Sequence, residues 1–138
     1  MNIAIMSHDQ KKELMVQFCT AYSFVLAKHT LCATSATGRM VEEATGLKVH
    51  LLLPGNAGGA QQIGARIPYN EIDLVLTLSD PKISMEDKDL QYVINLCDQY
   101  NVPVATNLAT AEMLILGLDR GDLDWRIAMS PKTAPFIV

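Results

Sequence analysis

Five short polar stretches each follow an apolar run: SHDQKK (7–12), TSATG (34–38), PGNAGG (54–59), SDPK (79–82) and TNLAT (106–110). The first carries His8, Asp9 and Lys12. A histidine in such a place can polarise a carbonyl or carry a proton near neutral pH. Lys12 lies one helical turn beyond His8, a spacing that lets both face one crevice. A capping aspartate beside a surface histidine, and a solvated lysine, are the plainer alternatives. In the second stretch, the hydroxyls of Thr34, Ser35 and Thr37 stand at a helix start. Hydroxyls and helical N–H groups together suit a phosphate or carboxylate, and an ordinary N-cap has the same look. Asp80 ends the most apolar run, either as a catalytic carboxylate or as a turn residue before proline. The third stretch is glycine-rich, which lets backbone N–H groups approach an oxyanion. Yet residues 54–65 hold no charged side chain.

The elements that position these stretches follow from the hydrophobic pattern. Runs at 2–6, 30–34, 48–53, 72–78 and 102–106 read as buried strands. Helical spacing appears over 11–29, 37–46, 58–67, 87–101 and 107–118. Strands that are near-continuous apolar runs and alternate with helices indicate a parallel sheet covered on both faces. The expected fold is therefore one α/β, doubly wound (flavodoxin-like) domain over residues 1–138. It has a five-stranded parallel sheet, with weak signals from about residue 127. In such a fold all five polar stretches emerge at one sheet edge, where ligands bind at a topological switch point.

Composition narrows the function class. The chain has 138 residues, 49% of them apolar, and a net charge of −4. That balance gives no support to nucleic-acid binding and argues against disorder. Cys19, Cys32 and Cys97 lack metal-ligand spacing and fit a reducing cytosol. The opening MNIAIMSHD is too short for a signal segment, and no run is long enough to span a membrane.

AIMSHDQKK, CATSATG, EATGL, GGAQQIGA, LSDP and VPVATNLATAE occur in an order and spacing that resembles the methylglyoxal synthase family, from about residue 2 to 126. The resemblance implies elimination of phosphate from dihydroxyacetone phosphate to give methylglyoxal, with no metal or organic cofactor. A carboxylate takes a C3 proton, and phosphate leaves the enediolate. The resemblance also implies a cytoplasmic homohexamer. The family roles fall on His8, Asp9, Asp80 and Asp89 for catalysis, with a loop one residue shorter before Asp89. Phosphate contacts fall on Lys12, Thr34, Ser35, Thr37 and Gly55.

Several positions depart from the family pattern. SGPxGGDQQ is here PGNAGGAQQ, so Ala60 stands at the position of the family's proton-abstracting aspartate. ATGTTG is here ATSATG, and Glu86 takes the position of a second family histidine. Alanine cannot accept a proton, and a positioned general base contributes roughly 10²–10⁴-fold. Two readings follow: a carbon–oxygen lyase whose base sits elsewhere, or a binding module for triose phosphate or inorganic phosphate.

Overall fold

The computed structural model describes residues 1–129. Strands β1 (Asn2–Ser7), β2 (Thr30–Ala33), β3 (Val49–Leu51), β4 (Leu74–Leu78) and β5 (Val104–Ala105) form one sheet. Its order is β3-β2-β1-β4-β5, with every pair parallel. The expected five-stranded parallel α/β fold is therefore present. Flavodoxin's own order, 2-1-3-4-5, has its switch point between β1 and β3. Here the chain reverses direction across the sheet after β3, and the switch point lies between β1 and β4.

Alternate side chains of each strand feed two cores. One face buries Ile3, Ile5, Leu74 and Leu76 against helices α1 (Lys12–Ala21), α3 (Ser35–Thr45) and α6 (Leu108–Arg120). The other buries Ala4, Met6, Cys32 and Val75 against α4 (Gly59–Arg66) and α5 (Lys88–Tyr100). Each fully buried Leu or Ile contributes about 1.5–3 kcal/mol. Gly38 permits the close approach of α3 to the sheet, since a Cβ there would lie 2.5 Å from Leu51 Cδ2.

The expected helix over 11–29 is bent. After α1, Tyr22 leaves helical geometry at φ −109° and ψ 23°, and a one-turn helix α2 (Ser23–Leu26) follows. The Tyr22 ring packs on Phe18 at 5.0 Å, and its hydroxyl donates to Glu112 on α6 at 2.8 Å. Tertiary contacts thus decide a bend that helical periodicity does not register.

The short helix α7 (Trp125–Met129) runs through the point where sequence signals fade; residues 130–138 lie outside the described residues. Its buried Arg126 donates from Nε to Asp73 at 3.2 Å, from Nη1 to the Asn101 carbonyl and from Nη2 to Asn70 Oδ1. Asp73 also accepts the Asn2 N–H at 2.8 Å. This polar knot ties α7 to the N-terminal end of the sheet, opposite the switch point. Among the described residues, no helix is long and apolar enough to cross a membrane.

Candidate functional site at the switch point

β1 and β4 lie side by side, with Ser7 level with Leu78. The next residue, His8, donates its N–H to the Leu78 carbonyl at 3.3 Å. Asp80 follows β4 two residues later, so the switch point brings His8 and Asp80 together. A cavity of about 540 Å³ opens above them. His8, Asp9, Lys12, Thr34, Thr37, Gly55, Asp80 and Asp89 all line it. Of the sequence-derived site residues, only Ser35 does not; it is half-buried at the start of α3.

One end of the cavity brings together hydroxyls, a lysine and a helix start. Thr34 and Thr37 are buried, and Thr37 Oγ1 shares a hydrogen bond with Ser7 Oγ at 3.1 Å. The first N–H groups of α3 have no acceptor within the helix, and the Thr34 side chain does not cap them. Lys12 Nζ donates to the Ser7 carbonyl at 3.3 Å and to Asp9 Oδ1 at 2.5 Å. That contact with Lys12 holds the exposed Asp9 carboxyl below its ordinary range.

The glycine-rich loop closes this end. Gly58 takes a left-handed turn at φ 108°, and Gly59 N–H returns to the Pro54 carbonyl at 2.9 Å. A Cβ on Gly59 would lie 2.2 Å from the Leu53 carbonyl oxygen. Gln62 Oε1 accepts the Leu53 N–H at 2.8 Å, which pins the loop to α4.

The other end gathers carboxylates around His8. Asp80 N–H donates to His8 Nδ1 at 2.8 Å, and His8 Nε2 lies 2.7 Å from Asp87 Oδ2. A backbone N–H can only donate, so Nδ1 must be the acceptor and Nε2 carries the proton. His8 is thereby held as one tautomer with both nitrogens engaged. Asp80 Oδ1 accepts Lys82 N–H at 3.0 Å, and Asp89 Oδ1 accepts from Gln61 Nε2 at 2.9 Å. Asp87 caps α5 by accepting Leu90 N–H at 3.1 Å. Partial burial raises its pKa, but the hydrogen bonds from His8 and Leu90 outweigh that and hold the carboxyl below its ordinary value.

A family model described as MGS-like domain matches residues 15–106. The chain is 58% identical over 133 residues to a methylglyoxal synthase of Caldicellulosiruptor saccharolyticus, covering 96% of this chain and 94% of that one. It is 51% identical over 130 residues to a methylglyoxal synthase of Thermoanaerobacterium thermosaccharolyticum, covering 94% and 97%. The chain belongs to the methylglyoxal synthase family. The fold agrees: the crystal structure of the enzyme from Elizabethkingia anophelis NUHP1 superposes with a TM-score of 0.77. The two share 36% identity over 83% of this chain and 76% of that one.

Against the methylglyoxal synthase pattern, Ala60 is fully buried in the apolar cluster that also holds Met6, Cys32, Leu52 and Ile63. Met6 lines the cavity and Ala60 does not. Glu86 is exposed and also outside the lining, while the next residue, Asp87, reaches His8. The three cysteines are buried, and burial pushes their thiols up to about 12, which suits core packing.

Sequence reasoning missed Ser7, Gln61, Gln62 and Asp87. For Asp87 a signal existed: an Asp just ahead of the helical run is a typical N-cap. Nothing local pointed across 79 residues to His8.

Proposed function

We propose that the chain binds dihydroxyacetone phosphate and eliminates phosphate to form methylglyoxal. The single observation that carries this is that Lys12, Thr34, Thr37 and Gly55 line the same cavity as His8, Asp80 and Asp87. Lys12, Thr34, Thr37 and Gly55 would hold the phosphate, with the α3 N-terminus adding its dipole. A carboxylate would take a proton from C3, and the electron pair would settle on the carbonyl oxygen as an enediolate. The C3 hydroxyl would then lose its proton to become the aldehyde, the C2–C3 double bond would shift to C1–C2, and phosphate would leave with the C1–O bonding pair. The resulting enol would then tautomerise. His8 Nε2–H is a neutral donor suited to the developing enediolate oxygen.

With alanine at position 60, the base must come from another residue. Asp9 is exposed and bound to Lys12, and Glu86 lies outside the cavity. Asp80 lines the cavity with only Oδ1 held by its own turn, which favours it as base. The test is a colorimetric dicarbonyl assay on pure protein. Asp80→Asn is expected to lower kcat by roughly 10²–10⁴-fold. Wild-type turnover at background level would sink the lyase reading.

A second reading rests on Ala60 itself: a module that keeps phosphate affinity without turnover. Calorimetry with inorganic phosphate and triose phosphates distinguishes the two, since binding without product supports the second. A cytoplasmic homohexamer belongs to either reading, and sedimentation of the purified chain tests the assembly.

A further inference from the structure

His8 has no ring nitrogen left for a ligand. Nδ1 accepts the Asp80 N–H, and Nε2–H is directed to Asp87 Oδ2. One of these bonds must open before the ring can touch anything in the cavity. They differ in how readily they open. The Asp80 N–H belongs to backbone anchored from both sides. His8 N–H is bonded to the Leu78 carbonyl, and Ser79 is bonded to the Thr106 carbonyl through its N–H at 3.0 Å and its hydroxyl at 3.1 Å. Asp87 instead contributes a side chain from the start of α5. Its two oxygens are divided, Oδ1 to Leu90 N–H and Oδ2 to His8. Releasing His8 therefore leaves the helix cap in place.

We propose that Asp87 Oδ2 is an internal stand-in for a ligand oxygen at His8, and that Asp87 thereby sets the specificity of the cavity. A ligand gains the Nε2–H donor only if it carries a second oxygen, beyond its phosphate, that displaces the carboxylate. Inorganic phosphate held at the Lys12 end leaves the His8–Asp87 contact closed. A phosphorylated three-carbon carbonyl or alcohol reaches both ends and opens it. The proposal rests on reading the cavity as a phosphometabolite site, and goes further by naming what guards its second end.

The test uses Asp87→Ser, because serine keeps an N-cap acceptor but is too short to reach His8. The ligands are glycerol 3-phosphate, which lacks the carbonyl needed for turnover, and inorganic phosphate. Calorimetry is expected to show glycerol 3-phosphate binding the variant about tenfold or more tighter than wild type, the scale of one charge-assisted hydrogen bond. Inorganic phosphate is expected to gain much less. In NMR, the wild-type His8 Nε2–H is expected in a carboxylate-bonded position that glycerol 3-phosphate moves and phosphate does not. Equal gains for both ligands would reduce Asp87 to a charge effect and overturn the proposal. An Nε2–H resonance unchanged by Asp87→Ser would overturn it as well. Failure of either ligand to bind wild type and variant alike would overturn the phosphometabolite reading, and this proposal with it. Asp87→Asn, a second capping variant without the charge, repeats the comparison if the serine variant fails to fold.

Discussion

Two glycines of one loop, substituted by alanine, separate folding from ligand binding. Neither Gly55 nor Gly59 has a positive φ. Alanine at either position therefore reduces unfolded-chain entropy, worth about 0.4–1 kcal/mol of stability where the native site accepts it. At Gly55 the nearest atom to an added Cβ is Thr34 Cγ2 at 3.7 Å, an ordinary contact. At Gly59 the added Cβ meets the Leu53 carbonyl oxygen at 2.2 Å, the Pro54 carbonyl oxygen at 2.9 Å and Thr34 Cγ2 at 3.0 Å. Two of those obstacles are backbone, in a turn closed by the Gly59 N–H to Pro54 bond. They cannot swing aside like a side-chain tip. Overpacking of this kind costs about 1–3 kcal/mol, and backbone at 2.2 Å puts Gly59→Ala at the upper end. For a chain of 138 residues that is a fall in Tm of roughly 10 °C. Gly55→Ala is expected to keep or slightly raise Tm while weakening phosphate binding, because it adds a methyl beside Thr34 in the cavity lining. Thermal melts and phosphate calorimetry on both variants read the two effects separately. A Gly59→Ala protein as stable as wild type, or a Gly55→Ala protein that melts earlier than Gly59→Ala, would show that the loop is not held as described.

The remaining expectations concern charged groups. Lys12→Met is expected to weaken phosphate binding by about 10–100-fold, the range for a charge-assisted hydrogen bond. It should move stability little, because its Asp9 partner is exposed; calorimetry and urea unfolding measure the two. Arg126→Met removes the buried guanidinium bonds to Asp73, Asn70 and the Asn101 carbonyl, each hydrogen bond to a charged group contributing about 1.5–3 kcal/mol; the urea midpoint should fall clearly while ligand binding at the far sheet edge persists. Asp87 has a folded-state pKa below its unfolded value. Its contribution to stability is therefore present above about pH 4 and fades as pH falls through the lowered folded value. The stability gap between wild type and Asp87→Ser should close in acid, as measured by unfolding at a series of pH values.

Much of this site could be read from one dimension because parallel sheets obey a simple rule. Each apolar strand delivers the short loop after its end to the same edge. His8 follows β1, Thr34 follows β2, Gly55 follows β3 and Asp80 follows β4, and all four line one cavity. The cysteines, which lack metal-ligand spacing in the sequence, are all buried in the core. Ser35 shows the limit of that rule. It sits among site residues in sequence, yet the turn of α3 carries Ala36 and Thr37 to the cavity instead. A helix turns about 100° per residue, so neighbours in sequence part company.

Residue types and alternation determined that the chain is a parallel α/β fold with its polar loops at one edge. They also determined that no carboxylate occupies position 60. Only the folded chain decided the strand order, and with it the adjacency of His8 and Asp80. Only the folded chain chose Asp87 over Glu86 as the partner of His8. A 3₁₀ turn, Ser84–Glu86, ends at Asp87, which meets His8 while Glu86 stays exposed. Such turns carry no periodic signature, and hydrogen bonds between loops distant in sequence depend on where packing leaves each backbone. Ala60 belongs to both accounts. Its identity was plain from the start, but its full burial in the apolar layer follows from how α4 docks on the sheet.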